Sequence, residues 1–184
     1  RIMNKNKISF ISFLFIHFSF SFLSAQIEYN LKSLNFINNT YKLKNKNDPI
    51  NGIVFQLNDG KKMVMGKVVN GKKYGLWTEL HPNNRRLQET YKNGLLDGFV
   101  SLFYPNGQKE WRHTYNNGIL DGNYTKWHEN GQMSMDGFFE NGTPVGVWIW
   151  KDKYGHILKK ETYRRKTKGL ISNVKEYIDK ENIP

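Results

Sequence analysis

The sequence predicts an all-β fold: an antiparallel β-meander of about five stacked hairpin repeats of 23–24 residues, forming an open-ended rod or curved sheet. Three observations predict it. The pattern NGxxxG occurs four times, running from Asn70-Gly71 to Gly75, Asn93-Gly94 to Gly98, Asn117-Gly118 to Gly122 and Asn141-Gly142 to Gly146. The closing glycines are 23, 24 and 24 residues apart, and Gly52 precedes Gly75 by another 23. A fixed period of this length marks units that bury their apolar surface by stacking. Each unit also carries a second turn signal, and each holds a run of β-formers after its opening glycine.

The first element is outside the fold. Lys5 and Lys7 precede an apolar run from Ile8 to Leu23, followed by Ser24-Ala25-Gln26. At about 16 residues the run is short for a membrane span, and the pattern reads as an export signal over residues 1–25. Its removal leaves no expected transmembrane segment. A retained N-terminal anchor is the alternative. Residues 26–51, with Tyr29, Leu31, Leu34, Phe36 and Tyr41 in a polar setting, read as an N-terminal cap of one or two strands.

The repeat domain is expected over residues 52–167. Its units open at Gly52, Gly75, Gly98, Gly122 and Gly146. The inner turns are Asn58-Asp59-Gly60, Pro82-Asn83-Asn84, Pro105-Asn106-Gly107, Glu129-Asn130-Gly131 and Lys153-Tyr154-Gly155. Gly, or Asn84 in the second unit, takes the positive-φ position of a type I turn followed by a bulge. Each unit thus reads as strand, tight turn, strand, with Gly71, Gly94, Gly118 and Gly142 in the turns between units.

Two positions after each opening glycine lie Val54, Trp77, Val100, Tyr124 and Trp148; five positions after lie Leu57, Leu80, Phe103, Trp127 and the exception Lys151. Offsets of two and five have opposite parity. Either the sheet is covered on both sides or a bulge re-aims one set. The second strands end on Val68, Tyr91, Tyr115, Phe139 and Tyr163, so large rings recur along the stack. Around the last strand, Lys159, Lys160, Arg164, Arg165, Lys166 and Lys168 read first as protection of a sheet edge and second as a binding patch. Residues 168–184 read as a C-terminal cap or tail, in which Ile171 to Ile183 fit a short helix or a final strand.

The segment Tyr115-Asn116-Asn117-Gly118-Ile119-Leu120-Asp121-Gly122-Asn123-Tyr124 and its copies resemble MORN-type repeats, in the variant form of bacterial proteins labelled YwqK-type antitoxins. The resemblance covers roughly residues 49 to 163. It implies a stacked antiparallel meander and carries no catalytic residue across. It suggests a binding role, with a toxic polypeptide as the partner if the label applies.

Chemistry-bearing clusters are sparse. There is no cysteine, which excludes thiol catalysis, zinc–thiolate sites and disulfide support. His81 and His128 are two repeats apart, about 20 Å at ordinary strand spacing and too far to share an ion. His113 and His156 match neither, so the histidines read as isolated surface groups. Asp97 and Asp121 each precede an opening glycine and read as Asp-Gly turns rather than an acid pair. No catalytic residue, metal or cofactor is expected.

The net charge is +12, and losing Arg1, Lys5 and Lys7 with the signal leaves +9. Export argues against a nucleic-acid target; anionic lipid or acidic polysaccharide fits that compartment better. Of the tryptophans, Trp111 and Trp150 occupy positions that are not apolar throughout the repeats, so they are the candidate binding rings. Lys109 and Arg85 are non-core equivalents in neighbouring strands and complete the candidate set. The expectation is an exported, non-enzymatic interaction module with a protein partner; lipid or polysaccharide binding is the alternative.

Overall fold

The computed structural model describes residues 26–165. The expected export signal at 1–25 and the expected cap or tail at 168–184 lie outside the described residues. Ten strands form the meander: β4 (Gly52–Asn58), β5 (Lys61–Val69), β6 (Lys72–Leu80), β7 (Arg86–Lys92), β8 (Leu95–Phe103), β9 (Lys109–Asn116), β10 (Ile119–Trp127), β11 (Met133–Glu140), β12 (Thr143–Lys151) and β13 (Ile157–Tyr163). Before them come β1 (Glu28–Asn30), β2 (Leu34–Ile37) and β3 (Thr40–Leu43). β1 joins the edge of β4 in parallel, making an eleven-stranded sheet, while β2 and β3 form a separate hairpin. The five predicted hairpins are all present.

The turns between repeats follow from local backbone chemistry. Asn117 and Gly118 have φ of 47° and 82°, and the other three Asn-Gly pairs are also positive at both residues. Two left-handed residues in succession make a turn whose twist matches the strands, and Asn-Gly tolerates it best. The inner turns of the last three hairpins match the expectation: only the glycine has positive φ, and Gly107 N–H donates to Tyr104 O at 2.9 Å. The first two hairpins differ. Asp59 and Gly60 form a two-residue turn with both φ positive, and in the second unit Asn83 joins Asn84 in the left-handed region.

The opening glycines are not turns. Gly75, Gly98, Gly122 and Gly146 lie three residues inside nine-residue strands, so each strand starts earlier than the β-former run suggests. At Gly98 and Gly122 the pairing with the preceding strand slips: Leu96 faces Tyr91 and Val100 faces Glu89, with Leu120 and Tyr124 doing the same against β9. These are bulges, and glycine supplies their φ of 113° and 121°. Asp97 and Asp121 therefore belong to mid-strand bulges, which corrects the Asp-Gly turn reading. The bulge has a second effect. The carbonyls two residues before the first four opening glycines, on Ile50, Lys73, Leu96 and Leu120, accept from the backbone N–H of Gly71, Gly94, Gly118 and Gly142 at 2.7–2.9 Å. Both ends of NGxxxG thus stitch one repeat to the next.

The period also has a structural cause. In the last three hairpins the second strand carries one extra residue, at Glu110, Ser134 and Leu158, where the register slips. The β6–β7 hairpin has no such slip, and its unit is 23 rather than 24 residues; the β4–β5 hairpin carries an extra residue at Met65, but its shorter two-residue inner turn keeps that unit at 23 as well. Because these bulges fall on the second strands, the first strands alternate simply beyond their opening glycines. Val100 and Phe103 accordingly belong to opposite faces, and the offset-five set lies on a face where Leu57 and Leu80 are about half exposed. Neither sequence alternative is what forms: no bulge re-aims the set, and that face is open among the described residues.

The buried core is at the N-terminal end. The β2–β3 hairpin lays Leu34 and Tyr41 over one face of the first repeats, burying Val54, Val68 and Trp77 completely and Ile50 and Met65 nearly so. Tyr41 stacks on Trp77 at 5.6 Å and 14°. The Trp77 indole Nε1 donates to Lys67 O at 3.0 Å, and Gly66 lies directly beneath the ring. Beside it, Lys73 Nζ lies 4.5 Å from the Trp77 ring and 4.7 Å from Tyr91, and meets Glu79 at 3.1 Å and Glu89 at 3.7 Å.

Candidate functional site

The face that the cap hairpin covers continues beyond it as a field of partly exposed rings. Direct cross-strand pairing builds one row from Leu87, Leu102, Trp111, Lys126, Met135, Trp150 and Lys159 on β7 to β13. The adjacent row runs through Glu89, Val100, His113, Tyr124 and Gly137 to the Trp148–Glu161 pair. Opposed residues share a face, so both rows look the same way.

Ring contacts connect them. His113 is sandwiched between Trp111 (4.3 Å, 13°) and Tyr124 (3.9 Å, 10°). Tyr124 touches Phe139 and Trp148, each at 5.4 Å between centroids, and Trp148 meets Phe139 edge-on at 5.1 Å and Tyr163 at 5.9 Å. Trp150 closes the series 6.2 Å from Trp148. Trp148 is buried because Gly137 leaves room for its ring, repeating the Gly66–Trp77 pair.

Two depressions mark this face. One, of about 470 Å³, is lined by Leu87, Leu96, Val100 and Trp111 together with His81, Arg85 and Glu89. The other, of about 230 Å³, lies between Tyr124, Met135, Phe139, Trp148, Trp150 and Tyr163.

Charge on the face is mostly paired. Glu161, nearly buried, receives Lys159 Nζ at 2.6 Å and the Tyr163 hydroxyl, also at 2.6 Å. Lys159 also lies 5.0 Å from the Trp150 ring, and Lys126 5.8 Å from Tyr124. Burial, aided by the Lys126 charge, pushes the His113 imidazole down to about 4, so it is neutral at physiological pH. Burial next to Glu79 and Glu89 raises the Tyr41 hydroxyl to about 12.

The structure brings together only part of the candidate set. Trp111 and Trp150 share one row, three strands or about 14 Å apart. Arg85 stands at the rim of the larger depression, ion-paired to Glu110 at 3.3 Å and 5.9 Å from the Tyr104 ring. Lys109 does not join them. It pairs with Phe103 on the opposite face. His113 is no isolated surface group but the centre of the ring stack. His128 is structural as well: its Nε2 lies 3.0 Å from Lys151 O, one repeat on from the bond between the Tyr104 hydroxyl and Trp127 O at 2.9 Å. Lys126, Met135 and Tyr163 were missed; only the cross-strand register, not readable from one strand's alternation, places them beside the tryptophans.

Among the described residues no three His, Cys, Asp or Glu side chains form a group that could hold a metal ion. Nor, among them, is any helix long and apolar enough to cross a membrane. No protein-family model matches the chain, and no curated protein matches it.

Proposed function

We propose that this protein is a non-enzymatic interaction module that engages a polypeptide partner through the ring-bearing face of β8 to β13. The observation that carries the reading is the discontinuity of cover: a hairpin seals this face over the first repeats, while the same face further along keeps Trp111, Tyr124 and Trp150 partly accessible. Rigid aromatic side chains give large contact area for little conformational entropy, and such rings dominate binding energy at interfaces. The stitched turns hold them on a sheet whose register is fixed at every hairpin, so the surface is preorganised.

The resemblance to MORN-type repeats of the antitoxin-labelled group makes a toxic polypeptide the specific candidate, one acting in the cell envelope if residues 1–25 direct export. Lys126 and Lys159, each set against a ring, favour a second reading in which an anionic lipid or acidic polysaccharide binds here. Affinity capture with residues 26–184 from envelope and secreted fractions separates the two. A single stoichiometric polypeptide retained at high salt supports the first reading. Recovery only of lipid or acidic polymer, lost as salt screens the lysines, replaces it with the second.

A further inference from the structure

We infer that the polypeptide engaged by the ring-bearing face binds as an extended segment in which an acidic residue lies between two large apolar residues. Its carboxylate meets Lys126, and the apolar side chains enter the two depressions. This rests on the interface reading given above and adds to it the chemistry of the partner.

Lys126 has the position for this role. On β10 it pairs with Trp111 of β9 on one side and with Met135 of β11 on the other. Trp111 lines the larger depression and Met135 the smaller, while Lys126 lines neither. The ammonium group thus belongs to a residue set between two apolar hollows.

Its charge is also unanswered. Nearby cations each have a carboxylate: Lys73 has Glu79 and Glu89, Arg85 has Glu110, and Lys159 has Glu161. Among the described residues no carboxylate pairs with Lys126, which is half-buried and lies 5.8 Å from the Tyr124 ring. A partner laid across both depressions takes this cation out of water. Covering a cation without a counter-charge is strongly disfavoured, and truncating one member of such a pair is what most weakens an interface. A partner carboxylate removes that penalty through a charge-assisted hydrogen bond.

The spacing selects an extended segment. Trp111 and Trp150, one in each depression, are three strands or about 14 Å apart. Along an extended chain the side chains on one side recur every two residues, so residues four apart span about 14 Å. The residue midway lies about 7 Å from each, within the reach of a lysine side chain on β10. In a helix, residues four apart advance only about 6 Å, too little to enter both depressions. The segment therefore reads as large apolar, any residue, Asp or Glu, any residue, large apolar.

The probe is a fluorescein-labelled peptide, Ser-Phe-Ser-Glu-Ser-Phe-Ser, titrated with the full chain and followed by anisotropy. The same peptide with Gln in place of Glu is expected to bind about tenfold more weakly. With Lys126→Gln the two peptides should bind equally, at the level of the Gln peptide. Trp111→Ser should weaken both by about tenfold or more, which ties the binding to this face. Lys126→Glu gives an independent reading by charge reversal, since it should prefer a peptide with Lys at the centre.

Equal binding of the Glu and Gln peptides to the native chain would overturn the acid preference. If Trp111→Ser still weakened both, the ring-face interface itself would stand. Binding indifferent to Trp111→Ser would remove the peptide from this face and overturn the inference. So would no binding of the Glu peptide at any soluble concentration, and Lys126-dependent binding of phosphatidylglycerol vesicles in its place would assign the cation to a lipid headgroup.

Discussion

Replacing Gly66 with alanine tests how this single-layer sheet builds its core. A Cβ at Gly66 would lie 2.6 Å from three atoms of the Trp77 ring, where an ordinary carbon contact is about 3.5–4.0 Å. The ring must therefore retreat by roughly 1 Å. It has nowhere to go: Trp77 is fully buried, stacked on Tyr41, and tied by its indole N–H to Lys67 O. Overpacking of this kind costs about 1–3 kcal/mol. Loss of the indole hydrogen bond adds about 1 kcal/mol, while alanine recovers about 0.5–1 kcal/mol over glycine in a strand. The expected net loss is about 2–3 kcal/mol, read as a shift of the urea midpoint followed by tryptophan fluorescence. Gly60→Ala is the control, since nothing lies within 4 Å of its added Cβ and only its positive φ is strained, at about 1–2 kcal/mol. In a Trp77→Val background Gly66→Ala should cost nothing or stabilise slightly, so the double-mutant cycle should show a coupling of about 2 kcal/mol or more. A Gly66→Ala protein within 0.5 kcal/mol of the native chain, or a cycle with no coupling, would refute the reasoning.

Three further outcomes are expected. His113 is held neutral with its folded value near 4, below the ordinary 6.5, so the unfolded chain takes up the proton first as pH falls. Stability should be fully present above about pH 6.5 and decline down to about pH 4; after discounting for partial exposure the loss is on the order of 2 kcal/mol. His113→Phe should flatten that part of the pH–stability curve in urea titrations. Lys73→Met removes the cation between Glu79 and Glu89, and should lower the melting temperature by an amount equivalent to about 2 kcal/mol. Asn117→Ala leaves a left-handed position without its tolerant residue, and should cost about 1 kcal/mol by thermal denaturation, whereas Asn116→Ala, not among the positive-φ residues, should cost little.

Much of the architecture was legible because the repeat writes its turn chemistry five times over. Asn-Gly pairs fix where one repeat turns into the next, and the glycine of the inner turn, or Asn84 in the second unit, fixes where each hairpin closes. The bulges were less legible. A glycine after aspartate reads as a turn in one strand's sequence; only the neighbouring strand, whose carbonyl and amide partners slip past it, shows that Gly98 and Gly122 interrupt a ladder instead. The same limitation governs the site. Trp111 and Trp150 stood out because their positions vary between repeats, but Lys109 looked equivalent until the extra residue at Glu110 put it across from Phe103 on the other face. His113 offered one signal in retrospect: it occupies the position eleven residues before Tyr124 that holds Gly66 before Trp77 and Gly137 before Trp148. Where the later ring is indole, the earlier residue is glycine; where it is phenol, a flat imidazole fits instead.

The most direct test of the binding account compares capture by three forms of residues 26–184 under identical salt. One is native, one carries Trp111→Ser and Trp150→Ser on the ring-bearing face, and one carries Phe99→Ser on the opposite face, where Phe99 is half exposed. The account predicts that the double variant loses the retained polypeptide while the Phe99→Ser form keeps it at native stoichiometry. Retention by the double variant together with loss by Phe99→Ser would contradict it and move the interface to the other side of the sheet.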